Sequence, residues 1–240
     1  MSVRADSAND NLLRAEDPGL TTGAFSWGLW VKLISDTNAY TDLLALGSDA
    51  LDPATYFAMY LSSNGVTARS GWFDSTGCGA YDLAVGTWYW LVASRSGDTS
   101  RLRVFDDSTS TTPLADATED VTGRSASGYD NFVLGRMFTG DTPDAEFANC
   151  KFHLGVAWTD AQCRTESQLF EIQTGGGTKW GSWRLESTAA DANGINDGSG
   201  GGHSLTNSGM ANGASRPTQL APVIWGPQLG MRLNRLVQTT

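Results

Sequence analysis

Few side chains in these 240 residues are spaced for bond-making chemistry. Acid–base cleavage of a glycosidic bond needs two carboxylates facing each other across a few ångströms. The nearest acids, Glu119 with Asp120 and Glu166 with Glu171, fall in an expected loop and on an expected helix. The two histidines, His153 and His203, have no second His or Cys at ligand spacing, so both read as solvated rather than metal-bound. No G-x-S-x-G elbow, H-E-x-x-H helix, Walker loop or dinucleotide fingerprint occurs. Gly175 to Gly177 reads as a helix terminator, and Gly198 to Gly202 as a loop without the lysine of a phosphate cradle. No catalytic residue is expected, and the chain reads as a non-enzyme.

Three sets of residues are instead candidates for binding. Trp72 and Phe73, followed by Asp74, lie close in sequence to Tyr81 and Asp82, and Tyr129 adjoins Asp130. Such rings stack on the apolar face of a pyranose while the acids take its hydroxyls, although Trp72 and Phe73 also suit a strand end tucked into the core. Asp191, Asn193 and Asp197 gather oxygen ligands within seven residues, but they miss the EF-hand spacing and its closing Glu. Turn formation by these residues is the first reading. Calcium is the one cofactor this leaves open; otherwise none is expected. The last stretch carries Trp225, Leu229, Met231, Leu233 and Leu236 on a segment too short to bury them alone, with Arg216, Arg232 and Arg235 and no acid from Ala221 onward. It reads as an assembly arm docking on neighbouring subunits.

The elements that must position these groups are strands. Phe25, Trp27, Leu29, Val31 and Leu33 share one phase, and Phe152, Leu154, Val156 and Trp158 share another, with Lys151, His153 and Gly155 between them. A period of two predicts one buried and one wet face per strand, as in an antiparallel sandwich. Further strands are expected at Leu12–Leu13, 41–47, 87–95, 101–105, near 112–121, at 131–137 and near 180–185. The Asn64-Gly65 pair predicts a type I′ hairpin between TYFAMYLSS and VTARSGW. Thr159 to Gln162 is a capping box that opens a helix over roughly 160–173, with Ala161, Leu169 and Ile172 as its buried stripe. The expected division is a sandwich over 1–215, with its core at about 5–185, and an arm over 216–240.

Charge and composition narrow the partners. The formal net charge of −10 disfavours nucleic acid and anionic membranes. No apolar run suits a membrane helix or a signal peptide, and three cysteines (Cys78, Cys150, Cys163) at unpatterned spacings read as free thiols.

The order FSWGLWVKL, YFAMYLSSNGVTARSGW, GTWYWLVASRSGDTSRLRVFDD, NFVLGR and CKFHLGVAWTDAQ resembles the laminin-G-like or concanavalin-A-like jelly roll over about residues 5–185. Gly86-Thr87-Trp88 and the strand ending at Asp106 match that pattern, while Asp106-Asp107 departs from its usual Asn-Gly turn. The Glu-x-Asp-x-x-Glu signature of hydrolases on this fold is absent. The resemblance implies an all-β, two-sheet concanavalin A-like sandwich with one short helix and an extended C-terminal arm. Such a module without catalytic residues or a secretion signal looks like a bacteriophage virion component. The resulting expectation is a capsid decoration or appendage subunit, made in the host cytoplasm, homo-oligomeric and bound to other virion proteins. The alternative is a carbohydrate-binding adhesion module that recognises cell-surface glycans; a glycoside hydrolase comes third.

Overall fold

The computed structural model describes residues 2–6, 10–20, 22–37, 39–47, 56–72, 77–135, 142–185, 202–213, 215 and 217–219. Within these residues the strands are β1 (Ser2–Ala5), β2 (Asn11–Ala15), β3 (Phe25–Leu33), β4 (Thr41–Gly47), β5 (Tyr56–Leu61), β6 (Thr67–Trp72), β7 (Cys78–Asp82) and β8 (Trp88–Ser96). They continue with β9 (Thr99–Asp106), β10 (Ala115–Asp120), β11 (Asn131–Leu134), β12 (Ala145–Leu154), β13 (Thr178–Trp183), β14 (Thr206–Ser208) and β15 (Ala211–Gly213), with one helix, α1 (Asp160–Gln168), before β13. An eight-stranded sheet runs β10-β9-β8-β3-β12-β1-β15, with β13 also paired to β12. A seven-stranded sheet runs β14-β2-β11-β4-β5-β6-β7. The two antiparallel sheets pack as a jelly-roll sandwich, as the sequence implied. Among the described residues no helix is long and apolar enough to cross a membrane.

Alternation along β3 delivers Phe25, Trp27, Leu29, Val31 and Leu33 to the core between the sheets. Rings from both sheets meet edge to face there: Trp27 with Phe152 at 5.0 Å and Trp27 with Phe57 at 5.3 Å. Each such buried side chain contributes roughly 1.5–3 kcal/mol before ordering costs.

The expected wet face of this sheet is dry. Trp30 faces outward from β3 and joins Trp90, Phe105, Trp158, Cys163 and Ile172 in a second cluster, to which α1 and the chain after it contribute. Gly28 lies beneath it, where a Cβ would stand 2.2 Å from the Trp90 ring. Ser26, Lys151 and His153, outward on their strands, are buried as a result.

β12 carries the decisive irregularity. Asn149 adopts φ 46°, and the register with β3 shifts between Ala148 and Lys151. Ala145 and Phe147 are inward before this bulge and Cys150 and Phe152 after it, so the inward phase changes at Asn149. The first half of β12 pairs with β1 and the second with β13. β12 stops at Leu154, and Trp158 therefore packs in the outer cluster rather than continuing the phase of Phe152.

Two local expectations are corrected. Gly65 has φ 73°, but Asn64 is not in the left-handed region, so the β5–β6 turn is not type I′. Instead the Asn64 side-chain oxygen accepts from the backbone N–H groups of Val66 and Thr67, closing a longer loop. The capping box is present at Thr159, yet α1 ends at Gln168 and buries Cys163, Arg164, Glu166 and Ser167, while Ala161 is exposed. Its underside meets polar outward residues of β12, so its buried stripe is polar too. Gly175–Gly177 does not end the helix: a Cβ on Gly177 would stand 2.0 Å from the Leu154 carbonyl oxygen, and the run allows close approach to β12.

Candidate functional site

The outer face of the seven-stranded sheet carries the candidate site. On β5, Phe57, Met59 and Leu61 enter the core, while Tyr56, Ala58 and Tyr60 face outward with Ala45 and Val133. Strict alternation along β4 would put Asp42 in the core with Leu44 and Leu46. A bulge at Leu43 breaks that phase: Asp42 pairs with Tyr60, whereas Leu44 pairs with Met59. A bulge re-aims side chains in this way, and here it carries a carboxylate to the outer face.

Register then defines the geometry. One row across the sheet reads Asp42, Tyr60, Arg69 on β4, β5 and β6. The next reads Val133, Ala45, Ala58, Gly71, a floor of small residues. Beyond it, Tyr56 pairs with Gly47. Tyr56 and Tyr60 stand about 13 Å apart along β5, on either side of Ala58. Tyr40, just before β4, spans them: its ring lies 5.0 Å from Tyr60, and its hydroxyl is 3.1 Å from that of Tyr56. Tyr40 is 37% exposed, against 9% for Tyr60 and 3% for Asp42.

Burial pushes the Asp42 carboxyl up to about 7, and a hydrogen bond from Tyr40 only partly offsets this. Oδ1 of Asp42 is buried with no hydrogen-bond partner. Among the described residues no positive charge accounts for its state; Arg69 instead acts on the hydroxyl of Tyr60. Burial raises all three tyrosines, Tyr56 to about 12; the nearby Asp42 is the next cause for Tyr40 and Tyr56, whereas at Tyr60 it is the smallest. From the β7 side, where β10 comes alongside, Glu119 also bears on Tyr60. A buried carboxylate oxygen without a donor is costly in a protein interior and is a common mark of a site awaiting one.

The glycan residues expected from sequence are not part of this cluster. Trp72 is 4% exposed and packs on Phe57 with ring centroids 4.5 Å apart, while Arg95 covers its other ring contact at 5.4 Å. Its β6 phase is the inward one, so the ring fills core space rather than meeting a ligand. Tyr81 is half-buried with its ring 5.8 Å from Tyr89, and Tyr129 is buried. Phe73, the weak calcium candidates Asp191, Asn193 and Asp197, and the arm residues Trp225, Leu229, Met231, Leu233 and Leu236 lie outside the described residues. Among the described residues no group of three or more His, Cys, Asp or Glu is placed to hold a metal ion.

The other titratable groups singled out in the sequence serve structure. Lys151 donates to Glu166 Oε2 at 2.7 Å and to the carbonyls of Glu166 and Glu171, and both side chains of the pair are fully buried. Glu166 Oε1 accepts from the backbone N–H groups of Gln173 and Thr174 and from the Thr174 hydroxyl. Burial pushes the Glu166 carboxyl up, but Lys151 and Thr174 outweigh it and hold it below the usual carboxylate range. His153 is not solvated. Trp158 Nε1–H donates to its Nδ1 at 3.0 Å, which leaves Nε2–H to donate to the Gly176 carbonyl at 2.7 Å. This network assigns a neutral ring, consistent with burial lowering its pKa. His203 stacks on Trp180 at 4.5 Å and contacts Glu16 Oε2 at 2.8 Å. All three cysteines are buried free thiols.

Sequence comparison finds no matching family model and no matching curated protein. Structural comparison does find likenesses. A candidate carbohydrate-binding protein from Bacteroides ovatus superposes with a TM-score of 0.60 at 12% identity, over 89% of this chain. The chain spans 60% of that protein's length. A heptameric pentraxin from Limulus polyphemus (TM-score 0.45, 17% identity, 67% of this chain and 76% of that one) is a weaker likeness. So is domain 4 of an extracellular family 43 arabinanase from Geobacillus stearothermophilus in complex with arabinotriose (0.46, 14% identity, 62% and 68%). At 12% identity the likeness to the Bacteroides ovatus protein is one of fold alone.

Proposed function

We propose that this chain is a non-catalytic carbohydrate-binding module whose site is the outer face of the seven-stranded sheet. The observation that carries the reading is Asp42: a buried carboxylate with an unpartnered oxygen, brought outward by a bulge into a cluster of three tyrosines. A saccharide supplies what that arrangement lacks. Its apolar ring face stacks on Tyr40, the exposed ring of the cluster, and its hydroxyls reach the Asp42 carboxyl as Tyr40 moves off it. The carbohydrate binding ascribed to the Bacteroides ovatus protein agrees with this reading. The virion expectation gains no support from the likenesses above, and the apolar residues of its arm lie outside the described residues.

A glycan array identifies the ligand, and calorimetric titration of the best hit then tests the site. Tyr40→Ala is expected to weaken binding at least ten-fold, about 1.4 kcal/mol, without unfolding the chain, because Tyr40 is partly exposed. Tyr81→Ala is expected to leave affinity within two-fold. Unchanged affinity in Tyr40→Ala would place the site elsewhere.

A further inference from the structure

From the pairing of an uncompensated acid with three tyrosine rings, we infer that the site selects a saccharide carrying an ammonium group, a de-N-acetylated amino sugar being the simplest. The inference rests on the carbohydrate-binding reading and specifies its ligand. Neutral sugars need hydroxyl partners but no net charge. The cluster around Asp42 offers one: among the described residues the groups that face it are Tyr40 from the preceding loop and Tyr56 and Tyr60 from β5, all neutral near pH 7. Arg69 on β6 and Glu119 on β10 stand beyond Tyr60 and act on its hydroxyl.

An ammonium group meets both features at once. Tyrosine rings within about 6 Å attract a cation through their negative faces, and the attraction strengthens when water is excluded. Tyr40 and Tyr60 lie 5.0 Å apart at 32°, and the linked hydroxyls of Tyr40 and Tyr56 close another side. Asp42 lies behind these rings with Oδ1 unpartnered, so its negative charge attracts a cation seated on them whether or not that cation carries an N–H. The chain's net charge of −10 draws a cationic glycan toward the surface and repels acidic ones. An N-acetylated sugar brings a bulky amide without charge, and leaves the carboxylate uncompensated.

The experiment titrates the intact chain near pH 7 with three tetramers: glucosamine, N-acetylglucosamine and N,N,N-trimethylglucosamine. The inference expects the glucosamine and trimethylated tetramers to bind at least ten-fold tighter than the N-acetylated one. It expects Asp42→Asn to bring the three within about three-fold of one another. Affinity for the trimethylated tetramer, whose charge does not titrate, is expected to fall as pH drops from 8 to 5 and Asp42 takes up its proton. Equal or better binding of the N-acetylated tetramer, or an array of neutral glycan hits with no binding of either cationic tetramer, overturns the inference and leaves the carbohydrate reading in place. An array without any glycan hit, cationic ones included, overturns that reading as well.

Discussion

Lys151→Met is expected to cost the fold about 3–5 kcal/mol, because it leaves the buried Glu166 carboxylate without its cation. For a chain of this length that corresponds to a fall in Tm of roughly 6–20 °C. The size follows from the surroundings. Both partners are fully buried between β12 and α1, and Glu166 Oε1 is already fixed by Thr174 and Gln173. The carboxylate cannot move to water without breaking those contacts, which also anchor the chain after α1. Lys151→Met combined with Glu166→Gln removes the orphan charge and keeps an acceptor for Thr174. The double variant is therefore expected to recover about 1–3 kcal/mol of the loss. Urea unfolding at pH 7 reads both differences. A single-variant cost below about 1 kcal/mol would mean that the pair is not a buried ion pair.

The second large effect concerns Asp42 and is a gain in stability. The folded chain holds this carboxyl up at about 7, above its ordinary value of 3.8 in an unfolded chain. As pH rises from 4 to 7, the unfolded chain releases the proton before the folded one does. Folding therefore loses stability through that window, and the loss is complete above pH 7. Its upper limit is on the order of 4 kcal/mol. Asp42→Asn cannot ionise and escapes the loss. The variant is expected to match the parent near pH 4 and to exceed its stability by a few kcal/mol at pH 8. Chemical unfolding of both proteins across this range isolates Asp42, since the other acids titrate equally in each. A constant difference across pH would show that the group ionises freely. The same variant is expected to lose ligand affinity, which is the usual relation between a binding site and the stability it costs.

Much of the fold was legible because alternation in β3 and the second half of β12 holds without interruption between Phe25 and Leu33 and between Cys150 and Leu154. The hidden parts lie where alternation breaks. Asn149 shifts the phase of β12 with a φ of 46°, which suits an asparagine, and Leu43 shifts that of β4, where the residue type carries no signal. The dry outer face of the eight-stranded sheet escaped sequence reading because Lys151 and His153 are polar, and only their contacts with α1 and Gly176 show that they are buried. Trp72 was the more conspicuous sugar candidate in sequence, yet its phase on β6 takes it inward. A signal for the actual cluster did exist in β5. Tyr56, Phe57, Ala58, Met59, Tyr60 and Leu61 leave that strand without a polar face, so aromatic rings had to lie on its outer side as well.

The six tyrosines allow the most direct measurement. With tyrosine rings isotopically labelled and assigned by single substitutions, the NMR spectrum is recorded while the best saccharide of the array is added. Binding at the outer face of the seven-stranded sheet predicts saturable shifts for Tyr40, Tyr56 and Tyr60, with Tyr81, Tyr89 and Tyr129 unmoved. Shifts confined to Tyr81, Tyr89 or Tyr129, or saturable binding that moves none of the six, would contradict it.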